Sequence, residues 1–185
     1  MRCLPLVFAA LSLATASIHA ASPGVGGPFQ LTDQDGRAVT QASFAGRPLL
    51  LYFGYTSCPD VCPVDLAKIV RIADDVRRAS GTTVTPVFVT IDPERDTPPR
   101  LQAYVRAFGK EVVGLTGTTA QIDAITDEYH VYFRKVPVEG GYLMDHSTML
   151  FLVGSNGTYL DHYGRKLPED DVVKRVVTTL QASGT

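Results

Sequence analysis

Two continuous apolar runs separated by a helical pattern constrain the fold of this chain more than any other feature. The first run covers 48–55 (PLLLYFGY) and the second covers 84–91 (VTPVFVTI). Apolar runs of this length are typical of strands buried on both faces. Between them, apolar residues recur at helical spacing from Leu66 to Val76, and Gly81 is a typical helix end. Strand, helix and strand in this order close right-handed into a parallel sheet.

The remaining segments add hairpins and helices around this unit. Two hairpins are predicted, one over 29–40 around Asp35-Gly36 and one that pairs 148–153 with 159–163 around Asn156-Gly157. Three further helices are predicted: from Thr97 and Pro98 to Gly109, from a Thr118/Gln121 capping box to Tyr129, and after Pro168. The late hairpin must add antiparallel strands to the parallel unit. The predicted fold class is therefore α/β, a thioredoxin-like sandwich with a central mixed sheet and an N-terminal β-hairpin.

The N-terminal residues differ in composition from the rest of the chain. Arg2 precedes an apolar stretch and then small residues, a pattern typical of a secretory signal peptide over 1–20. The rival interpretation is an uncleaved membrane anchor, although the run is shorter than the roughly 20 residues that span a bilayer. We expect a flexible lead-in over 21–28 and one domain over 29–182. The signal predicts export to the periplasm, as a soluble or inner-membrane-anchored protein.

Charge excludes some partners. The chain has 17 Lys and Arg residues against 19 Asp and Glu residues, a net charge of -2. Cleavage of the signal would remove Arg2 alone among these and leave -3. The basic residues are scattered, so neither a nucleic acid nor an anionic membrane surface is an expected partner. Membrane contact remains open through an uncleaved N-terminus.

Two cysteines remain after the expected cleavage, and both lie at a strand-to-helix junction. Cys58 and Cys62 follow the first apolar run, and Pro63 suits the first turn of the helix. Two helical residues four positions apart share a face, and a helix N-terminus stabilises thiolate. A structural disulfide is the simplest alternative, but it would close a loop of only three residues, where little stability is gained. The pair is therefore predicted to be functional, as a redox pair or as metal ligands.

Topology selects one histidine from the three outside the signal segment. His146 is expected in the loop before the strand at 148–153. If that strand is antiparallel to the first apolar strand, His146 faces Cys58 and Cys62. The other two, His130 and His162, lack this geometric argument.

Two thiolates and one imidazole form a soft ligand set that favours copper(I) or zinc. Three-coordination suits copper(I), whereas structural zinc normally requires a fourth protein ligand. Asp145 is a candidate for that fourth ligand, or for a group that orients the imidazole.

Several motifs together resemble the Sco/SenC family of copper chaperones. The segment at 52–63 (YFGYTSCPDVCP) resembles the family's signature. The resemblance extends over the expected domain through GGPFQLTDQDG, TIDPERDTP, LTGTTAQI, YHVYFRKV and YLMDHST.

The resemblance implies a thioredoxin fold in which Cys58, Cys62 and His146 bind a copper ion. It also implies a role in building the dinuclear copper centre of cytochrome c oxidase. The partner would be the copper-bearing subunit of that oxidase or another copper chaperone. Asp92 matches a family acid near the site, although capping the turn before Pro93 is an equally good role for it.

Two functions remain open on the same residues. A metallochaperone would bind copper(I) and catalyse no reaction, and His146 would be required for copper binding. A thiol–disulfide oxidoreductase would cycle Cys58 and Cys62 to reduce the cysteines of the target copper site, with His146 dispensable.

Overall fold

The computed structural model describes residues 24–184. The predicted signal segment 1–20 and the start of the lead-in lie outside the described residues. Within the described part, no helix is long and apolar enough to cross a membrane.

The regular structure of residues 24–184 comprises nine strands, four α-helices and one short 3-10 helix (Gln41–Phe44). The strands are β1 (Gln30–Asp33), β2 (Ala38–Thr40), β3 (Leu49–Gly54), β4 (Thr85–Thr90), β5 (Val113–Thr116), β6 (Phe133–Val138), β7 (Gly141–His146), β8 (Met149–Val153) and β9 (Tyr159–Gly164). The helices are α1 (Val61–Ser80), α2 (Pro98–Arg106), α3 (Thr119–Glu128) and α4 (Glu169–Ala182).

Seven strands form one mixed sheet in the order β2-β1-β5-β4-β3-β8-β9. Strands β3, β4 and β5 are parallel, whereas β1, β2, β8 and β9 pair with their neighbours in antiparallel fashion. The predicted mixed sheet and N-terminal hairpin are confirmed. Because β8 is antiparallel to β3, the start of β8 lies at the sheet edge where β3 ends.

Both faces of the sheet are covered, which explains the continuous apolar pattern of β3. Every residue of β3 is buried. Tyr52 points to the face covered by α1, where its hydroxyl donates to Asp65 Oδ2 at 3.0 Å. Phe53 points to the opposite face, where its ring contacts Tyr129 just after α3. Adjacent strand residues alternate between the two layers of the sandwich.

The end of α1 and the start of α3 follow the predicted signals, whereas α2 ends at Arg106, before the predicted Gly109. Gly81 ends α1 in the left-handed conformation (φ 77°), and its N–H donates to the Arg77 carbonyl. Thr118 and Gln121 form the predicted capping box of α3. Helix α1 begins at Val61, two residues before Pro63, which occupies its first turn.

Three strands were absent from the sequence prediction. Strand β5 follows α2, and β6 pairs with β7 in a separate two-stranded sheet. The expectation that His146 lies in a loop is therefore wrong, because His146 is the last residue of β7. The hairpin escaped prediction because β6 is mostly exposed and contains Pro137, so its apolar pattern is weak.

Candidate metal centre

The cysteine pair spans the junction between β3 and α1. Cys58 lies in the connecting loop, partly exposed, before the N-cap residue Asp60. Cys62 lies in the first turn of α1 and is fully buried. The Cys62 N–H points at Cys58 Sγ at 3.5 Å, and both thiols are free. The pair thus has one helical member, not the two on one helix face that the spacing predicted.

His146 reaches the pair from the end of β7. Its Nε2 lies 3.5 Å from Cys62 Sγ. Its Nδ1 lies 2.9 Å from the Ser147 carbonyl oxygen, so Nδ1 carries the proton and donates there. This hydrogen bond fixes the ring and leaves the Nε2 lone pair directed at the sulfurs.

The ligand atoms of Cys58, Cys62 and His146 lie within 4.8 Å of one another. An ion bound at about 2.3 Å from sulfur and about 2.0 Å from nitrogen spaces such ligands roughly 4 Å apart. The three side chains therefore fit one soft ion with small adjustments. They are the only such group of His, Cys, Asp or Glu side chains among residues 24–184.

The two thiols differ in acidity. The pKa of Cys58 is lowered. Partial burial acts to raise it, but this effect is outweighed by the backbone N–H groups of Cys62, Asp60 and Val61 and by the Cys62 side chain. Burial raises the pKa of Cys62 strongly. Burial lowers the pKa of His146, which favours the neutral imidazole that binds metals. The site therefore has one thiolate-prone sulfur, one protonated sulfur and a neutral ring.

Asp145 does not lie where the sequence analysis expected a ligand. Its carboxylate is exposed and pairs with Arg134 Nη2 at 3.4 Å, outside the three-residue cluster. The imidazole is oriented by the carbonyl of Ser147 instead. The side chains of β7 alternate, so neighbours such as Asp145 and His146 point to opposite faces.

Asp92 is buried, and its side chain contacts Tyr142 and Arg95. Its Oδ1 accepts a hydrogen bond from the Tyr142 hydroxyl at 2.9 Å, and its Oδ2 accepts one from Arg95 Nε. The turn over 92–96, which contains Pro93, is closed by the Asp92 backbone carbonyl, which accepts from the Arg95 and Asp96 N–H groups. The side chain therefore anchors the hairpin strand β7.

The other two histidines lie away from the cysteines, as the topology predicted. His162 is exposed in β9, with its Nδ1 2.5 Å from the Tyr159 hydroxyl. His130 is exposed after α3, with a positive φ of 52°.

Sequence reasoning missed three residues that shape the site. Tyr55 packs its ring edge-on to His146, with centroids 5.9 Å apart. Asp96 is fully buried and accepts hydrogen bonds from the N–H and hydroxyl of Thr56 at 2.9 and 2.6 Å. Arg95 lies between Tyr55 and the hairpin. The charged cluster in TIDPERDTP directly after a buried strand was the available signal.

An open groove of about 390 Å³ adjoins the cluster. It runs between the start of α1 and the β6–β7 hairpin, and Cys58, Val61, Val136, Leu143 and His146 line it. The partly exposed sulfur of Cys58 is thus accessible from one side, whereas Cys62 is covered.

Comparisons with known proteins agree on one family. A model of the SCO1/SenC family matches residues 19–181. The human protein named "Protein SCO1 homolog, mitochondrial" is 38% identical over 168 residues, which cover 88% of this chain and 55% of that protein. The "SCO2-like protein RP587" of Rickettsia prowazekii (strain Madrid E) is 39% identical over 142 residues, covering 75% of this chain and 69% of that protein. The chain spans about half the length of some curated relatives, including the human protein.

Solved structures show the same fold. The crystal structure of Arabidopsis thaliana ScoI with copper bound superposes with a TM-score of 0.83 at 36% identity, covering 86% of this chain and 99% of that one. The crystal structure of yeast Sco1 with copper bound gives a TM-score of 0.79 at 34% identity, covering 86% and 90% of the two chains.

Proposed function

The chain belongs to the SCO1/SenC family, and we propose that it is a metallochaperone that carries copper(I) on Cys58, Cys62 and His146. The observation that carries the proposal is the convergence of two sulfurs and one imidazole nitrogen within 4.8 Å. Copper-bound structures of relatives with the same fold support the choice of metal. Copper here is the cargo of the protein.

The three ligands divide the work of binding. Cys58 supplies a sulfur whose proton is already weakly held, because N–H groups of the helix N-terminus stabilise its thiolate. Cys62 loses its proton to solvent when the ion arrives, since only the thiolate binds the metal. His146 supplies a neutral nitrogen from a separate hairpin, held by the Ser147 carbonyl.

Release of the ion needs an incoming ligand. A three-coordinate ion leaves room for a fourth donor, and the groove beside Cys58 gives a partner thiolate access to it. We propose that the partner is the copper-bearing subunit of cytochrome c oxidase, whose dinuclear centre receives the ion, or another copper chaperone. Membership of the SCO1/SenC family and the copper-bound structures of relatives support a copper-accepting partner of this class.

A copper(I) titration of the reduced protein against a competing chelator tests the proposal. Wild-type protein should bind one equivalent, and His146→Ala should weaken the affinity by at least about tenfold, or 1.4 kcal/mol. His162→Ala is the matched control, because it removes an exposed histidine that lies away from the cysteines. Equal affinity in wild type and His146→Ala would contradict the three-ligand site.

The asymmetry of the cysteines favours a second function, reduction of a target disulfide. The Cys58 thiolate would attack one sulfur of that disulfide, and the other target sulfur would leave as a thiolate. Cys62, once deprotonated, would then attack Cys58 and release the reduced target. Two electrons pass to the target, and a Cys58–Cys62 disulfide remains.

One variant distinguishes copper binding from disulfide reduction. His146→Ala removes a copper ligand but neither sulfur. If disulfide reduction is the main task, this variant reduces a disulfide-bearing peptide at the wild-type rate. Loss of copper binding with retained reduction would show that both activities exist on one site.

The proposed compartment is the periplasm. Support comes from the signal-like segment 1–20, which lies outside the described residues, and membrane contact depends on whether it is cleaved. Mass spectrometry of the exported protein gives the mature N-terminus and tests both points.

The domain proposed for the copper site is 29–182.

A further inference from the structure

The strand that carries His146 is not hydrogen-bonded to the main sheet. Strands β6 and β7 pair with each other, and in the described part of the chain neither joins the seven-stranded sheet. The cysteines, in contrast, follow β3 in the centre of that sheet. Backbone pairing therefore constrains His146 only through the two residues that join it to β8, and side-chain contacts must hold the rest of the hairpin in place.

Arg95 and Asp92 hold β7 at Tyr142. Arg95 Nη1 donates to the Tyr142 carbonyl oxygen at 2.9 Å, and the guanidinium carbon lies 3.8 Å from the centre of the Tyr142 ring. The Tyr142 hydroxyl donates to Asp92, which also accepts from Arg95 Nε. One residue of β7 is thus held at its backbone, its ring face and its hydroxyl.

The same guanidinium contacts the cysteine side of the site. Its carbon lies 5.6 Å from the centre of the Tyr55 ring, which in turn packs edge-on against His146. The Tyr55 hydroxyl lies close to the Met144 backbone and to the Cys58 side chain. Arg95 Nη2 is buried without a hydrogen-bond partner among the described residues, which leaves the aromatic faces as its contacts.

The turn that bears Arg95 is itself fixed to the cysteine loop. It directly follows β4, where the Ile91 N–H donates to the Gly54 carbonyl at 2.8 Å. Asp96, the next residue after Arg95, accepts hydrogen bonds from Thr56 and from the Thr90 hydroxyl at 2.6 Å. The turn that bears Arg95 therefore cannot shift without moving the loop before Cys58.

We propose that Arg95 is a positioning residue, which holds the β6–β7 hairpin so that His146 Nε2 stays within coordination distance of Cys62 Sγ. This inference rests on the proposed copper function. It assigns Arg95 a role through His146 and no contact with the metal.

The chemistry of the side chain makes arginine the required residue. A guanidinium donates in two directions from one plane while its face stacks on an aromatic ring. Lysine has the same charge but neither the fork nor the flat face. Arg95→Lys should therefore behave like Arg95→Met, which separates positioning from simple charge compensation.

A double-mutant cycle tests the proposal. Copper(I) affinities are measured by chelator competition for wild type, Arg95→Met, His146→Ala and the double variant. Arg95→Met should weaken binding about 10- to 100-fold, as loss of a group supporting a metal ligand typically does. In the His146→Ala background the same change should have almost no effect, because Arg95 acts through that histidine.

Arg175→Met is the matched control. Arg175 also pairs with a carboxylate, Asp161, and lies 4.9 Å from the ring centre of Tyr163, but it belongs to α4. Its loss should leave copper affinity at the wild-type value. A general effect of removing an arginine–carboxylate–tyrosine group would appear in this variant as well.

Three results would overturn the inference. They are wild-type affinity in Arg95→Met, an equal loss in both histidine backgrounds, and wild-type affinity in Arg95→Lys. If Arg95→Met does not fold by circular dichroism, Tyr142→Leu removes the same ring and hydroxyl contacts and must show the same dependence on His146. Equal affinity of wild type and His146→Ala would instead refute the proposed function.

Discussion

The two cysteines occupy different environments although only three residues separate them. Cys58 is partly exposed, and N–H groups at the start of α1 lower its pKa against the effect of burial. Cys62 is fully covered, and burial raises its pKa. The difference follows from the position of the helix start, between the two residues.

This asymmetry predicts selective alkylation of the reduced, metal-free protein. At pH 7 iodoacetamide should modify Cys58 and leave Cys62 unmodified, because only Cys58 combines access with a stabilised thiolate. Peptide mass spectrometry over a time course gives the ratio. Modification of Cys62 at a similar rate in the folded protein would contradict the described environments.

Among single residues, the sequence predicted the three clustered side chains better than their surroundings. Cys58 and Cys62 follow from their place after an apolar strand, and His146 follows from the antiparallel orientation of β8. Asp145 was wrongly expected at the site because it is adjacent to His146 in sequence. Strand β7 had not been predicted, so nothing in the sequence indicated that adjacent side chains there point to opposite faces. The Arg95 contacts join segments that are far apart in the chain, so no local sequence pattern predicts them.

Strand β3 and helix α1 pack so closely that the strand must end in glycine. A Cβ at Gly54 would lie 2.9 Å from the Phe88 ring and 3.0 Å from Cys62 Sγ. Both neighbours are buried and cannot move freely. The close approach is what lets Cys62 lie against the end of the strand.

Gly54→Ala should therefore destabilise the protein by about 1–3 kcal/mol and weaken copper binding, because the added methyl group displaces Cys62 Sγ. Gly164→Ala is the matched control: Gly164 also ends a strand, a Cβ added there would meet no atom within 4 Å, and its φ is not positive. Chemical denaturation gives the stability difference. Equal stability of both variants would show that Gly54 is not closely packed.

Among the helices and strands, patterns with a strong local cause were predictable and the others were not. The buried strands β3 and β4 and the capping box of α3 have such causes. Strand β5 (VGLT) was missed because Gly114 interrupts its apolar run, and that glycine is needed where Leu101 and Val105 of α2 pack against it. The β6–β7 hairpin had one usable signal, Gly140-Gly141 at its turn, where Gly140 has a φ of 78°.

The part of the molecule described, residues 24–184, combines a seven-stranded sheet with a separate hairpin, and the proposed copper ligands are divided between them. Cys58 and Cys62 lie at the junction of β3 and α1, and His146 belongs to the hairpin. Metal binding should therefore couple the two parts and displace the proton held by Cys62. That proton makes the affinity depend on pH.

Apparent copper(I) affinity should rise with pH. The raised pKa of Cys62 keeps its thiol protonated near neutrality, so the ion must displace a proton. One displaced proton gives about a tenfold gain per pH unit. Cys58, with its lowered pKa, adds less, and the neutral His146 adds nothing above its lowered pKa. Titrations between pH 6 and 8 measure the slope, and a flat profile would contradict a protonated Cys62.

X-ray absorption at the copper edge reports the ligands of the bound ion and so decides whether two sulfurs and one imidazole hold it. Copper(I)-loaded wild-type protein should show two sulfur neighbours at about 2.3 Å and one nitrogen neighbour at about 2.0 Å. The nitrogen should be absent in His146→Ala and retained in His162→Ala. A two-sulfur site without nitrogen in the wild type would contradict copper binding by Cys58, Cys62 and His146 together.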